Sequence, residues 1–326
     1  MPDPVHVLVF SSFALAVVAI GSLALNRGAN ATLPLRKGND GYWGAISSSV
    51  DWCEENYMHS TYVAETHNTI SSAIIALVGA AGVECCHGCS AEGRYWLLSV
   101  LLIVIGLGSM AFHGALRHWM QMLDEVPMLW LVVAATFCTL EHEAKGHGGR
   151  RYGAWLPAAL LLWAAVISAA TILLQGGLQV ICFHAGFASA ELVALYGVYR
   201  LYRDTADAQT RRICRGSFAL FALSILCWSA DGLLCARLQN LPWGLPNPQL
   251  HAWGWHILVA LAAYGLLVAS LMERLGLLGR RPRVVWRAGC WPVVAADPLP
   301  PRALRGGGSL SGSGAASGGV LKARTD

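Results

Sequence analysis

Long apolar stretches dominate this chain and are separated by short polar connections. Seven stretches after the first 65 residues are close to the roughly 20 residues that a helix needs to cross a bilayer. An eighth, at 5–25, stands alone and is typical either of a retained helix or of a cleaved signal peptide. The pattern predicts an all-α polytopic membrane protein, a seven-helix transmembrane bundle with a possible extra N-terminal apolar helix. The seven predicted spans are 69–86, 95–114, 120–140, 154–175, 178–200, 214–236 and 251–272.

The composition supports this prediction by excluding other classes of protein. Of the 326 residues, 55% are hydrophobic and only 13% are charged, and the mean hydropathy is +0.49. A soluble domain carries about 25% charged residues, and a disordered chain combines low hydrophobicity with high charge. No run of Lys and Arg has the density of a nucleic-acid patch. We therefore expect a membrane-embedded protein that does not bind nucleic acid.

The chain divides into four predicted regions. Residues 1–27 form the N-terminal apolar segment, 28–68 a luminal acidic cap, 69–275 the bundle, and 276–326 a cytosolic tail. From about 291 the tail is Pro-rich and then Gly/Ser-rich, a composition typical of flexible segments. The tail is therefore predicted to be largely disordered from about 291.

Basic residues accumulate on one side of the predicted membrane. They follow the first, third, fifth and seventh spans, whereas the opposite connections hold only Arg117 and Arg237. Because cytoplasmic loops carry an excess of Lys and Arg, the C-terminus is predicted to be cytosolic and residues 28–65 to face the lumen or exterior. The basic residues on the cytosolic side are Arg94, Lys145, Arg150, Arg151, Arg200, Arg203, Arg211, Arg212, Arg215, Arg274, Arg280, Arg281 and Arg283.

Few ionisable side chains lie within the spans, where such groups are costly and usually functional. Most lie near one end of their helix, which the topology above makes the luminal end, whereas His184 and Glu191 lie deeper. Three histidines with a carboxylate and a hydroxyl at one depth match a catalytic zinc site with an open position for water. Ordinary polar contacts between helices are the alternative interpretation. The groups near the luminal end are Ser109, His113, Asp124, Glu125, Asp231, His251 and His256.

Three sequence blocks resemble the alkaline ceramidase family, integral membrane amidases that hydrolyse ceramide. The first is VDWCEENY at 50–57, continued by VAETHNT at 63–69. The second is GSMAFH at 108–113 with LDEVPM at 123–128, and the third joins WSAD at 228–231 and Cys235 to HAWGWHIL at 251–258. The second and third blocks are shared more loosely with distant relatives, including the progestin and adipoQ receptors.

The resemblance implies a zinc ion on His113, His251 and His256, with Ser109 and Asp124 as catalytic residues. Asp124 would accept a proton from the attacking water and Ser109 would hydrogen-bond the developing oxyanion. One departure concerns the last two histidines, because Gly254 makes their spacing five residues instead of four. On a regular α-helix that spacing separates the rings by about 140°, and a π-bulge would realign them.

The acidic cap carries a second implied site. Side-chain oxygens and the Trp52 carbonyl are hard ligands suited to calcium, and the resemblance implies a calcium ion there. Without the resemblance, a solvated acidic loop is the commoner interpretation. The family also pairs cysteines at the positions of Cys53 and Cys235. The implied calcium ligands are Asp51, Trp52, Glu54, Asn56 and Glu65.

The expected function is zinc-dependent hydrolysis of the N-acyl bond of ceramide, dihydroceramide or phytoceramide to a sphingoid base and a fatty acid. The lipid substrate would enter from the bilayer of the endoplasmic reticulum and/or Golgi, with the active site toward the lumen. Two alternatives remain open: a seven-helix receptor of the progestin and adipoQ type, and a catalytically inactive lipid-binding relative.

Overall fold

The computed structural model describes residues 41–289 and 291–297. The N-terminal apolar segment at 1–27, with its alternatives of a retained helix or a cleaved signal, lies outside the described residues. The same holds for the tail from 298 onward.

Seven helices of 19 to 31 residues make up the described chain, and each is long and apolar enough to cross a membrane. The last of them, α7, begins with a π-helical turn, Leu250–His256, and continues as an α-helix, Ile257–Leu277. This confirms the predicted all-α bundle of seven spans. The other helices are α1 Thr66–Gly88, α2 Gly93–Ala115, α3 His118–Leu140, α4 Trp155–Leu173, α5 Gly176–Asp204 and α6 Ala208–Leu238.

Short connections set the order of the helix ends. The links α1–α2, α2–α3, α4–α5 and α5–α6 span only two to four residues, so successive helices run in opposite directions. We call the end at which α1, α3, α5 and α7 begin the histidine end, because it holds His113, His251 and His256. The opposite end is the arginine end, because it holds the buried Arg274.

Glycines bring α1, α2 and α3 into close backbone contact. A Cβ at Gly106 of α2 would lie 2.8 Å from the Cβ of Ala76 on α1. At Gly108 it would collide with the backbone carbonyl of Leu123 on α3. Small residues at such crossings allow the close packing on which helix association in a membrane depends. As a result, the polar residues that follow Gly108 on α2 and Leu123 on α3 are held side by side.

A β-hairpin closes the arginine end. Strands β1 (Arg283–Arg287) and β2 (Trp291–Ala295) pair antiparallel, with Val284 opposite Val294. Val293 and Val294 are buried in the main hydrophobic core, and the Val294 backbone N–H donates to Cys85 Sγ at 3.3 Å. The prediction of disorder from about 291 is therefore wrong for residues 291–295, because two adjacent valines are buried against the bundle.

Candidate metal and catalytic site

Three buried histidines meet at the histidine end. His113 lies on the last turn of α2, and His251 and His256 lie on the π-helical turn of α7. Each offers a potential ligand atom, and these atoms all lie within 4.8 Å of one another. Among the described residues they form the one group of three or more His, Cys, Asp or Glu side chains that meets this criterion.

The π-helical turn brings together two histidines that an α-helix would separate. A π-helix closes its hydrogen bonds between residues i and i+5, which suits a five-residue spacing, and the rings of His251 and His256 lie 4.7 Å apart. Gly254 makes the turn possible beside α6, since a Cβ there would lie 2.6 Å from the Cβ of Cys227. The structure thus realigns the rings in the way that the sequence suggested.

Each of the three imidazoles uses its Nδ1 atom in a hydrogen bond within the protein. The partner of His113 is the Glu65 carboxylate. His251 contacts Asn68 Oδ1 at 2.9 Å and His256 contacts Ser71 Oγ at 2.7 Å. This leaves Nε2 of each ring for a ligand. Three buried imidazoles oriented through their second nitrogen are the usual donor set of a catalytic metal site, so the residues present fit a metal ion.

Ser109 and Asp124, the predicted catalytic pair, lie beside the histidines. Ser109 is one turn before His113 on α2, and its hydroxyl hydrogen-bonds the Asp124 carboxylate on α3. Both side chains are buried. The Ser72 hydroxyl lies 3.1 Å from Ser109 Oγ. The structure therefore joins the serine and the aspartate that were selected from separate helices.

Asp231 and Glu125 have partners that point to structural roles. The Asp231 carboxylate accepts hydrogen bonds from the backbone N–H groups of His251 and Cys53, both at 3.2 Å, so it fixes the start of the π-helical turn. Glu125 accepts from Gln121 at 2.8 Å and from Gln179, which ties α3 to α5. Both belong to the wall of the site.

His184 and Glu191, the two deeper residues of α5, do not belong to the group of three histidines. His184 Nδ1 hydrogen-bonds the backbone carbonyl of Val180 at 2.8 Å, and its ring lies 5.6 Å from Trp228. Glu191 lies seven residues further along α5.

The acidic cap folds over the start of α1. Glu54 accepts hydrogen bonds from the backbone N–H groups of His67 at 2.7 Å and Asn68 at 2.9 Å, so it caps the helix N-terminus. Asn56 donates to both oxygens of Asp51 at 3.1 Å. The Trp52 backbone N–H donates to Glu65 Oε1 at 3.1 Å, and the Trp52 ring stacks on His251 at 3.9 Å. The residues implied as calcium ligands therefore border the histidine cluster directly.

Negative charge is crowded in this cap. Burial raises the pKa of Glu65 well above its usual value, and the charges of Asp51 and Glu54 raise it further. Burial also raises the pKa of Asp51 to about 6 and that of Glu54 above its ordinary value. In residues 41–289 and 291–297, no Lys or Arg side chain forms an ion pair with these three carboxylates. The cap thus has an excess of carboxylate charge that a cation would balance.

Cys53 and Cys235 form a disulfide, with their Cα atoms 5.3 Å apart. The bond joins the cap to the end of α6. The Cys53 carbonyl also accepts hydrogen bonds from Gln239 at 3.1 Å and Asn247 at 3.3 Å. The cap is therefore fixed to the α6–α7 connection beside the π-helical turn.

Asn68, Ser71 and Ser72 contact the site but were not identified from the sequence. These three side chains are uncharged and lie outside the sequence positions to which the family resemblance assigns a role, so nothing in the charge pattern distinguishes them. A usable signal existed, since residues 68, 71 and 72 are polar and lie three and four positions apart, on one face of α1.

Known proteins that are similar to this chain belong to one family. The family model described as Ceramidase matches residues 44–295. The chain is 33% identical over 268 residues to alkaline ceramidase 3 of Mus musculus, covering 79% of this chain and 96% of that relative. It is 28% identical over 260 residues to alkaline ceramidase of Arabidopsis thaliana, covering 80% and 97% respectively. It is 32% identical over 227 residues to alkaline ceramidase of Drosophila melanogaster, covering 68% and 76%.

Proposed function

Because this chain belongs to the ceramidase family, we propose that it hydrolyses the amide bond of ceramide, dihydroceramide or phytoceramide. The products are a sphingoid base and a free fatty acid. The observation that carries the proposal is the convergence of three histidines with the hydrogen-bonded Ser109 and Asp124 in one buried site. This set contains a metal-binding group, a proton acceptor and a hydrogen-bond donor, which amide hydrolysis requires.

Zinc is the metal that this site suits best, held by His113, His251 and His256. Three imidazole ligands with an open fourth position are characteristic of catalytic zinc. When bound, zinc supplies a Lewis acid and lowers the pKa of a water molecule to about 7.

Asp124 and Ser109 have different tasks in the hydrolysis. Asp124 accepts the proton of the attacking water and later delivers it to the leaving amine. Ser109 donates a hydrogen bond to the oxygen that gains charge as the carbonyl is attacked. The hydrogen bond between Ser109 and Asp124 holds both groups on the same side of the histidine cluster.

Calcium is proposed for the acidic cap, on Asp51, Glu54, Asn56 and Glu65 with the Trp52 carbonyl. The support is chemical: these groups offer the hard oxygen donors that calcium prefers, and the carboxylates crowd one another with no Lys or Arg ion-pair partner among the described residues. Calcium would order the cap over the site and would not take part in the chemical step.

The substrate is a lipid, so we expect it to enter the site from the bilayer between helices. Basic side chains concentrate at the arginine end, while Arg117 and Arg237 lie at the histidine end. The positive-inside rule therefore supports a cytosolic arginine end with the hairpin. The catalytic site would face the lumen of the endoplasmic reticulum and/or Golgi.

The catalytically inactive alternative drew support from the five-residue spacing of His251 and His256. The π-helical turn removes that argument, because it brings the two rings together beside His113. Hydrolysis is therefore the function that the described geometry supports best.

The direct test is lipid analysis of the purified full chain. The protein is incubated with ceramide, dihydroceramide and phytoceramide, and released fatty acid and sphingoid base are measured by mass spectrometry. Asp124→Asn keeps the side-chain shape but removes the proton acceptor, and Glu143→Gln serves as control because Glu143 is exposed at the arginine end. Release by the wild type and Glu143→Gln but not by Asp124→Asn is expected. Equal release by all three proteins would contradict the proposal.

A further inference from the structure

Helix α1 supplies none of the three histidines, yet one of its faces contacts the site at several points. We propose that Asn68, Ser71 and Ser72 are positioning residues that fix the orientation and tautomer of His251 and His256 and the orientation of Ser109. The inference rests on the proposed function, since it assigns a task toward the metal ligands and the catalytic serine. The three residues are 0 to 1% exposed, so water does not replace the bonds they make.

Asn68 fixes His251 because its amide is held at both ends. Its Oδ1 atom contacts His251 Nδ1 at 2.9 Å, and its Nδ2 donates to Glu65 Oε2 at 3.3 Å. Only one orientation of the amide satisfies both contacts, because the carboxylate accepts hydrogen bonds and the carbonyl oxygen cannot donate. The proton of His251 must therefore be on Nδ1, which leaves the Nε2 lone pair for a metal.

Ser71 fixes His256 by the same logic with a hydroxyl. Its Oγ lies 3.1 Å from the Asn68 backbone carbonyl, which only accepts, and 2.7 Å from His256 Nδ1. Because the hydroxyl has a single proton, donation to the carbonyl turns a lone pair toward the ring. His256 Nδ1 then carries the proton and its Nε2 is free, as for His251.

Ser72 extends the arrangement to the catalytic serine. Its hydroxyl donates to Ser109 Oγ at 3.1 Å, so the single proton of Ser109 stays available for the Asp124 carboxylate. Residues 68, 71 and 72 are three and four positions apart, so they lie on one face of α1. That face therefore holds two metal ligands and the group that contacts the substrate oxygen in a single geometry.

Metal affinity is the readout that separates positioning from simple structural support. Loss of a hydrogen-bonding partner of a ligating histidine typically lowers metal affinity about 10- to 100-fold. We expect losses of this size in Asn68→Leu and Ser71→Ala, measured by competition with a chelator on the purified full chain. Asn68→Asp keeps an acceptor for His251 and should lose less affinity than Asn68→Leu. The visible spectrum of the cobalt-substituted protein should change with the affinity, because it reports ligand geometry.

Thr69→Val is the matched control on the same helical turn. The Thr69 hydroxyl donates to the Glu65 backbone carbonyl at 2.7 Å and hydrogen-bonds no histidine among the described residues, so its loss should leave zinc affinity and the cobalt spectrum unchanged. Ser71→Ala and Asn68→Leu proteins that bind zinc as tightly as Thr69→Val, with unchanged spectra, would overturn the inference. Ser71→Ala removes one oxygen only, so the test stands even where Asn68→Leu does not fold.

Ser72→Ala separates the serine from the ligands. It should retain zinc affinity but lower kcat with little change in KM, because Ser109 acts in the chemical step; weakened zinc binding in this variant would contradict the assignment. A wild-type chain that binds zinc but releases no fatty acid would refute the proposed function alone, since the affinity comparisons would still decide the positioning of the histidines. A wild-type chain that binds neither zinc nor cobalt would refute both.

Discussion

The two ends of the bundle bury carboxylates in opposite ways. At the arginine end, Arg274 donates two hydrogen bonds of 2.8 Å to Glu92. Burial acts to raise the pKa of Glu92, but hydrogen bonds from Arg274 and Arg94 outweigh it and lower the pKa to about 2. At the histidine end, burial raises the pKa of Asp51 to about 6, and that carboxylate has no Lys or Arg ion-pair partner among the described residues. The arginine end supplies its own counter-charge, whereas the Asp51 carboxylate at the histidine end has no Lys or Arg counter-charge among the described residues.

At the arginine end, the Arg274 side chain joins two interhelical connections through hydrogen bonds. Besides Glu92, its guanidinium donates to the backbone carbonyls of His142 at 2.9 Å, Ala144 at 2.6 Å and Gly146 at 2.7 Å. These bonds join the start of α2 and the α3–α4 connection to α7. Helix α7 carries His251 and His256 at its other end, so a fixed arginine end supports the placement of these two side chains.

The largest expected effect comes from removing a ligand at the histidine end. His256→Ala should reduce bound zinc from about one equivalent to none and lower amide hydrolysis at least 1,000-fold, roughly the scale for loss of an essential group. Metal analysis and product release measure the two effects. His147→Ala, in the exposed α3–α4 connection, is the control and should match the wild type. Full zinc retention in His256→Ala would show that this ring is not a ligand.

The second prediction concerns stability at the arginine end. Arg274→Met leaves Glu92 buried without its main partner, and breaking a buried pair in this way costs about 3 to 5 kcal/mol. Thermal or denaturant unfolding of the purified protein measures the loss. Adding Glu92→Gln to Arg274→Met should recover part of the stability, because the uncompensated charge is gone. If Arg274→Met alone were as stable as the wild type, the stability of the arginine end would not depend on the ion pair between Arg274 and Glu92.

Gly254→Ala tests the π-helical turn with an intermediate effect. The added methyl group would meet Cys227 of α6 at 2.6 Å, and such overpacking costs about 1 to 3 kcal/mol. Zinc affinity should fall as well, since the turn sets the distance between His251 and His256. Gly216→Ala on α6 is the matched control, because a Cβ there meets no atom within 4 Å. Unchanged unfolding and zinc affinity in Gly254→Ala would mean that the turn tolerates a side chain.

The sequence was sufficient for the features that hydrophobicity and charge report directly. Seven apolar spans and the histidines among them stand out because charged or ionisable groups are rare in a membrane interior. Given the ligand set that the family resemblance implies, the five-residue spacing with a glycine between the histidines indicates a π-bulge. The metal, the calcium ligands and the membrane orientation stay predictions.

Other features depend on tertiary contacts that composition does not encode. Asn68 and Ser71 are uncharged, and burying them in a membrane helix costs little free energy. Their partners, His251 and His256, are known only once α7 is seen to pack against α1. Val293 and Val294 are two apolar residues in a Pro-rich tail, and their burial depends on a surface formed by α1 and α7. Arg274 was counted as a cytosolic charge, and its burial against Glu92 follows from the fold of two separate connections.

The smallest expected effect concerns how the folding stability depends on pH. The carboxylates Asp51 and Glu92, at the two ends of the bundle, contribute to this dependence with opposite signs. In the folded, metal-free protein the pKa of Asp51 is about 6, above its usual value of 3.8, so the folded state holds a proton that the unfolded state releases. The resulting stability is present below about pH 4 and is lost as the pH rises through 6. Glu92 has a folded pKa of about 2, below its usual 4.5, so its stability is present above pH 4.5 and is lost as the pH falls through 2.

Replacing either carboxylate by its amide should therefore act in opposite directions at pH 7. In chelator-treated protein, Asp51→Asn should stabilise the fold by about 1 kcal/mol, a figure reduced from the full shift because Asp51 is partly exposed, whereas Glu92→Gln should destabilise it. With added calcium, the wild type should become more stable than Asp51→Asn, because a bound cation makes the charged carboxylate the favourable form. Unfolding measured at pH 5 and pH 7, with and without calcium, decides the point. Destabilisation by Asp51→Asn at pH 7 in the absence of calcium would mean that the cap holds its own counter-charge, and the contrast between the two ends would fail.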